Sequence, residues 1–182
     1  MPQFPQEWKV ETAVPEHADS LAELHARSFK AAYHSADPVR NSRVFQQAVA
    51  FKTPERVELR AKIILRASAN EDGEVYYEAL DEKDYSVGFI YGTKAEEQQE
   101  LVALYVHPAM TRRGIGFALT SAFIDWCDPQ QAIEVGVART NLRAQRFYEH
   151  FGFERQPGDR PPFYDYLPEI TMLRLAGETH EI

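Results

Sequence analysis

Apolar positions along the chain recur with two periods, and the changes from one to the other outline its elements. Leu21, Leu24, His25, Ser28, Phe29 and Ala32 stand three or four apart, with Glu16, Glu23, Arg27 and Lys30 mostly elsewhere. This predicts an amphipathic helix that starts at Pro15 and ends by Pro38 at the latest. Ahead of it, after a head containing Pro2 and Pro5, Lys9 to Val14 alternates as a short strand. Thr53 as N-cap and Pro54 in the first helical position open a second helix, whose Val57, Ala61, Ile64 and Leu65 share a face. Between the two, Tyr33 to Lys52 reads as a linker with a helical portion over Val44 to Phe51. From Glu74 the period is two: Glu74 to Asp81 and Tyr85 to Thr93 are strands joined by an acidic turn, Asp81 to Asp84. Leu101 to Val106 is the next strand, stopped by His107 and Pro108. Gly114 to Trp126 carries a helical stripe of Ile115, Leu119, Ala122, Phe123 and Trp126. Ile133 to Ala138 is a strand, Leu142 to Phe151 a helix broken at Gly152, and Glu169 to Leu175 a closing strand.

The order is therefore βααββ, then β, loop, α, β, α and a terminal strand or hairpin, with no repeat and no linker. A chain of 182 residues, 44% of them apolar, buries roughly 70% of its unfolded surface around one core. Residues 1–182 accordingly read as a single domain, with Gly177 to Ile182 a frayed tail. Twenty Lys and Arg stand against 28 Asp and Glu, a formal net charge of -8, which disfavours nucleic acid and favours neutral or cationic partners. No run approaches the ~18 apolar residues of a membrane span, and the first residues lack a basic start and apolar core of a signal peptide. Cys127, the one cysteine, makes no disulfide framework. These features predict a cytoplasmic protein with no membrane partner, a monomer or a homodimer. His107 and His150 have no second ligand at zinc spacing, so no metal is expected.

The most informative run is Leu101 to Phe123, where a buried-looking strand feeds a glycine-containing loop and an amphipathic helix. The first N–H groups of a helix lack intrahelical acceptors and sit at the positive end of its dipole, while Gly114 and Gly116 remove side chains that would obstruct phosphate oxygens. Arg112 and Arg113 add full charges. A pyrophosphate suits this junction. The G-x-G spacing lacks the third glycine of a dinucleotide fingerprint, and no Lys-Ser or Lys-Thr follows as in a P-loop. A second run, Asn141 to Phe153, offers a capping asparagine and a face of Ala144, Phe147, Tyr148 and Phe151.

Taken together, L-Y-V-H-P, R-R-G-I-G and, about 25 residues on, N-x-R-A-x-x-F-Y-x-x-x-G-F resemble the GNAT (GCN5-related) N-acetyltransferase superfamily over Glu100 to Phe153. The resemblance implies a mixed α/β fold, a mostly antiparallel twisted sheet of six to seven strands split between the fourth and fifth, flanked by about four helices. It implies acetyl-CoA as cosubstrate. Backbone groups at Leu104, Tyr105 and Val106 would pair with the pantetheine arm, and amides of Arg112, Arg113, Gly114, Ile115, Gly116 and Phe117 would hold the pyrophosphate. Asn141 would hydrogen-bond the pantetheine, with Ala144 in register, and Tyr148 matches the family's general acid. One departure is Thr111, which stands where the family loop usually has Gln or Arg; the backbone amide survives the change.

A primary amine of pKa ~10 must lose a proton before it attacks. Glu100 is the candidate base: it lies six residues before Val106, the interval at which the protein-lysine-acetylating branch carries its catalytic glutamate. By strand alternation it shares a face with Val102 and Leu104, whereas its plain reading is a solvated carboxylate continuing the polar run from Glu96. A bulge would flip that parity. By family position, Phe29 and Tyr33 at the end of the first helix and Tyr164 before the last strand frame the acceptor. The function implied is direct transfer of acetyl to a primary amine in a ternary complex. Net charge tips the acceptor slightly towards a small cationic amine such as a polyamine; a protein N-terminus or lysine would need an open groove between the helical pair and the late hairpin. The rival from another class is a non-catalytic acyl-CoA-binding sensor or scaffold.

Overall fold

A computed structural model describes residues 8–69, 73–96, 98–158 and 160–177. Strand β1 (Trp8–Thr12) passes through a 3-10 turn at Pro15–His17 into α1 (Ala18–Tyr33), α2 (Pro38–Ala50) and α3 (Pro54–Ser68). Strands β2 (Glu74–Asp81), β3 (Ser86–Lys94) and β4 (Gln99–Val106) form an antiparallel meander. Helix α4 (Ile115–Trp126), β5 (Ile133–Ala138), α5 (Leu142–Glu149), β6 (Glu154–Arg155), β7 (Arg160–Phe163) and β8 (Leu167–Arg174) complete it. Among the described residues all the strands join one sheet ordered β1-β2-β3-β4-β5-β8-β6, with β7 also on β8, and β4–β5 is its one parallel pair.

The mixed, mostly antiparallel sheet is the one expected, but it has eight strands, because the short β6 and β7 share the outer edge of β8. Helix α2 covers most of the helical portion expected over Val44 to Phe51 and extends it back to Pro38, into what reads above as linker. Pro38, read above as a terminator, occupies the first turn of this helix, and the Asp37 carboxylate caps it by accepting from the Val39 and Arg40 N–H groups. Val44, Ala48 and Phe51 then bury against α1. Of the expected frayed tail only Gly177 is among the described residues, and its N–H donates to the Pro129 carbonyl. The head with Pro2 and Pro5 lies outside them.

Both faces of the sheet are covered. Leu101, Val135, Val137, Ile170 and Met172 pack beneath α4 and α5 with Ile115, Leu119 and Phe123. On the opposite face Tyr76 and Phe89 pack against Leu21, Leu24 and Ile64 of α1 and α3.

Two irregularities in β4 position the site. Its pairing with β3 skips a residue, Tyr91 opposite Ala103 but Gly92 opposite Leu101, so Val102 is bulged. Leu101 and Leu104 therefore both face the α4 side, while Ala103 and Tyr105 face α1 and α3. This corrects the expected alternation: Glu100 does not share a face with Leu104, because the extra residue reverses the parity. The second irregularity is that β4 pairs with β5 only through Gln99–Ile133, Glu100–Glu134 and Leu101–Val135. Beyond that point the strands part.

Candidate active site

The parting strands open a cleft of about 740 Å³. One wall is the free edge of β4 from Val102 to Val106, and the other is β5 with the first turns of α5. The Ser28 hydroxyl donates to the Val106 carbonyl at 3.0 Å, and the His107 N–H donates to the Val87 carbonyl, so α1 and β3 both fix the far end of β4.

At that end the chain turns through Pro108–Met110 into α4. The Thr111 hydroxyl donates back to the Pro108 carbonyl at 3.2 Å and so closes the turn. Arg112 (φ 65°) and Gly114 (φ 83°) are left-handed while Arg113 between them is not, an alternation that gathers successive N–H groups into an anion-binding concavity. The Ile115 side chain is buried in the core, which pins the first turn of α4 under the cleft. A Cβ added at Gly116 would meet nothing closer than 3.7 Å. Packing thus leaves room for a side chain there, and its absence clears space over the helix N-terminus. Gly114 is different, since its φ disfavours any other residue.

Across the cleft, Asn141 caps α5: its Oδ1 accepts the Ala144 N–H at 3.1 Å. Burial raises the pKa of the Tyr33 phenol, and the neighbouring Asn141 amide and Tyr105 hydroxyl oppose that rise. Tyr148, 6% exposed, lines the same end between Phe147 and Phe153. Burial, reinforced by the neighbouring Tyr33 oxygen, pushes its phenol well above the ordinary tyrosine range, so it holds its proton at neutral pH.

The third feature is ionic. Arg160 extends from β7 across β8 and β5, donating to Glu134 at 2.7 Å and Glu100 at 3.0 Å, with Glu169 at 3.8 Å. Its guanidinium lies over Gly136, where a Cβ would stand 3.2 Å from the guanidinium carbon and 3.0 Å from the Glu169 carboxylate. Three carboxylates share one cation at the apex of the split.

Comparison with known proteins decides what this architecture belongs to. The sequence matches the model of the Acetyltransferase (GNAT) family over residues 19–153. The chain is a member of the GNAT acetyltransferase family. Among solved structures, PaiA N-acetyltransferase from Thermoplasma acidophilum in complex with coenzyme A is similar at TM-score 0.72 and 20% identity, covering 92% of this chain and 98% of that one. Ribosomal-protein-S5-alanine acetyltransferase from Vibrio fischeri is similar at TM-score 0.70 and 14% identity, with 96% of each chain covered. An acetyltransferase of the GNAT family from Streptococcus pneumoniae gives TM-score 0.70 at 18% identity, covering 94% and 100%. A search of curated proteins by sequence found no match. The protein is an acetyl-CoA-dependent N-acetyltransferase with the GNAT fold.

In this acetyltransferase the structure brings together on one cleft Leu104, Tyr105, Val106, Arg112, Gly114, Gly116, Phe117, Asn141, Ala144, Tyr148 and Tyr33 from the sequence-derived set. Others lie elsewhere. Phe29, expected to frame the acceptor, is fully buried beneath the cleft, held by Tyr33, Phe51 and Tyr164. Tyr164 likewise packs on Phe29 and Phe51, while its neighbour Phe163 lines the cleft. Arg113 is exposed beside the loop, outside the cleft lining. Glu100 is bound to Arg160 rather than lining the cleft. Sequence reasoning missed Glu169, which lines the cleft. Its signal was a lone acid in the apolar run LPEITML, read there as the start of a strand. Among the described residues no group of three His, Cys, Asp or Glu is arranged to hold a metal ion, and no helix is long and apolar enough to cross a membrane.

Proposed function

We propose that the acetyltransferase acetylates the primary amine of a small cationic metabolite, such as a polyamine, by direct attack in a ternary complex. The observation that carries this reading is the aromatic seal between the helical pair and the late hairpin. Phe29 and Phe51 of the α1–α2 region pack against Leu167, Phe163 and Tyr164, filling the groove a polypeptide acceptor would need. The surplus of carboxylates around Arg160 agrees with a cationic acceptor. Likeness to ribosomal-protein-S5-alanine acetyltransferase favours the second reading, a protein amine, on fold alone.

Bound acetyl-CoA supplies an acetyl group as a thioester. The amides of 112–117 and the Arg112 guanidinium would bind its pyrophosphate, and the free backbone edge at Leu104 to Val106, with Asn141, would hold the pantetheine arm. Tyr148 keeps a proton on its Oη at the inner end, ready for a departing sulfur. Cys127 is suited to no acyl-enzyme: burial pushes its thiol up to about 12, and it lies in the core under α4. A single buried thiol fits a cytoplasmic location. Neither nucleic acid nor membrane is required as a partner, and the enzyme would act as a monomer or homodimer. The test is calorimetric titration with acetyl-CoA followed by an acceptor panel of putrescine, spermidine and peptides with free N-termini or lysines. Micromolar binding with acetylation of the polyamines is expected. Exclusive acetylation of peptides would transfer the assignment to the second reading, and failure to bind either acetyl-CoA or CoA would favour a scaffold.

A further inference from the structure

The acetyltransferase reading leaves open which group accepts the proton of the incoming amine, and the carboxylates around Arg160 differ in a way that answers it. Glu100 and Glu134 face each other in register across the last paired stretch of β4 and β5. Both hydrogen-bond the Arg160 guanidinium. Glu169 sits opposite Ala138 on β8, on the same face, but its carboxylate is 3.8 Å from the Arg160 Nε, beyond hydrogen-bond length. Of the three it alone lines the cleft, and its side chain is 13% exposed. The absence of a side chain at Gly136 lets this carboxylate and the guanidinium lie across β5 where the strands part.

We propose that Glu169 takes the proton of the acceptor's ammonium group, and that Arg160, laid over Gly136, occupies Glu100 and Glu134 so that Glu169 alone is left facing the cleft. The inference rests on the acetyltransferase reading above. In the step, one N–H bond of the ammonium breaks with its electron pair left on nitrogen, an O–H bond forms on the Glu169 carboxylate, and the proton later passes to solvent. The groups facing this carboxylate are Arg160 on β7, Glu100 and Glu134 across β5 and β4, and Tyr33 on α1. Burial raises its proton affinity, Arg160 opposes that and Glu100 reinforces it. A carboxylate so placed is a stronger base than one neutralised in a guanidinium pair. Tyr33 interacts electrostatically with both Glu169 and Tyr148, so proton acceptor and proton donor both lie near the Tyr33 phenol. Three carboxylates against one guanidinium leave an excess of negative charge that an ammonium group balances.

The test compares the wild-type enzyme with Glu169→Gln and Glu169→Asp, using spermidine and n-butylamine as acceptors. Glu169→Gln is expected to lower kcat about 100-fold while calorimetric affinity for acetyl-CoA changes less than twofold. The ascending limb of kcat against pH should move from the carboxyl range towards the ammonium's own value of ~10, and Glu169→Asp should restore part of the rate. Independently of turnover, carbon-13 NMR of the CoA-loaded protein, assigned with the Gln variant, should show this carboxyl titrating above the ordinary glutamate value. A carboxyl titrating at or below that value, or a pH limb unchanged in Glu169→Gln with acetyl-CoA binding intact, would overturn the assignment alone. A wild-type protein that binds no acetyl-CoA would overturn the acetyltransferase reading and this inference with it.

Discussion

The two halves of the cleft are made of different materials. The half proposed to bind acetyl-CoA, from the β4 edge round the loop to the N-terminus of α4, offers mainly backbone groups, and most of its side chains fold it: Ile115 anchors, Thr111 closes a turn, Gly116 stays out of the way. The half proposed to meet the acceptor offers side chains, Glu169, Arg160, Tyr33 and Tyr148, each delivered by a different element. Backbone recognition tolerates substitution as long as the path of the chain holds, whereas side-chain recognition changes with one residue. The proposed function puts the constant cosubstrate on the first kind of surface and the acceptor on the second.

The sharpest way to break this division is at Tyr148, the one side chain assigned to the bond-breaking end. Tyr148→Phe is expected to lower kcat by about 100- to 1000-fold with acetyl-CoA affinity within twofold, measured by steady-state kinetics and calorimetry; equal rates would remove the acid role. Next in size, Gly116→Leu should weaken acetyl-CoA by about 50-fold, the loss of one or two charge-assisted hydrogen bonds, while thermal stability stays near wild type because packing leaves space at that position. If affinity survives, the donor half does not depend on clear access to the helix N-terminus.

A third prediction concerns stability on the acceptor side. His25 of α1 stacks on Phe51 at 3.7 Å and its Nδ1 accepts from Arg60 at 3.0 Å. Burial first, and the Arg60 charge second, push its pKa well down, so the folded protein keeps it neutral. The unfolded chain takes up a proton near 6.5; stability is therefore undiminished above that pH and falls below it, by at most ~1.4 kcal/mol per pH unit. Urea denaturation at pH 7.5 and 5.5 should show wild type losing about 1 kcal/mol more than His25→Gln. Smallest is the effect of Arg160→Met. Removing the guanidinium deletes the one influence that lowers the Glu169 carboxyl, so the ascending limb of kcat should move to higher pH by a fraction of a unit. A limb that moves to lower pH would contradict the ionic arrangement.

The same division explains what could be read in the chain beforehand. The donor half is contiguous: strand, loop, helix, strand and capped helix follow one another from Leu101 to Tyr148, so its spacing survives as a motif. Glu100 shows the limit of that legibility, because the bulge at Val102 is a property of pairing with β3 and leaves no local mark. Arg160, Glu134 and Glu169 come together only when β7, β5 and β8 are laid side by side, and no sequence interval encodes it. Phe29 had the right neighbourhood but the wrong depth, since its burial depends on α2, whose N-cap Asp37 and Pro38 read equally well as a loop.

The parting of β4 from β5 has a further meaning for solubility. A strand whose hydrogen-bonding edge is unclaimed ordinarily invites a second chain to add to it, and proteins guard such edges at their periphery. Here the open edge lies in the interior of the sheet, with β5 and α5 forming the other wall of the cleft. A polypeptide strand entering it would have to bring in side chains on both faces. A thin linear molecule would not, so an edge placed there is open to a slender ligand while being guarded against strand addition.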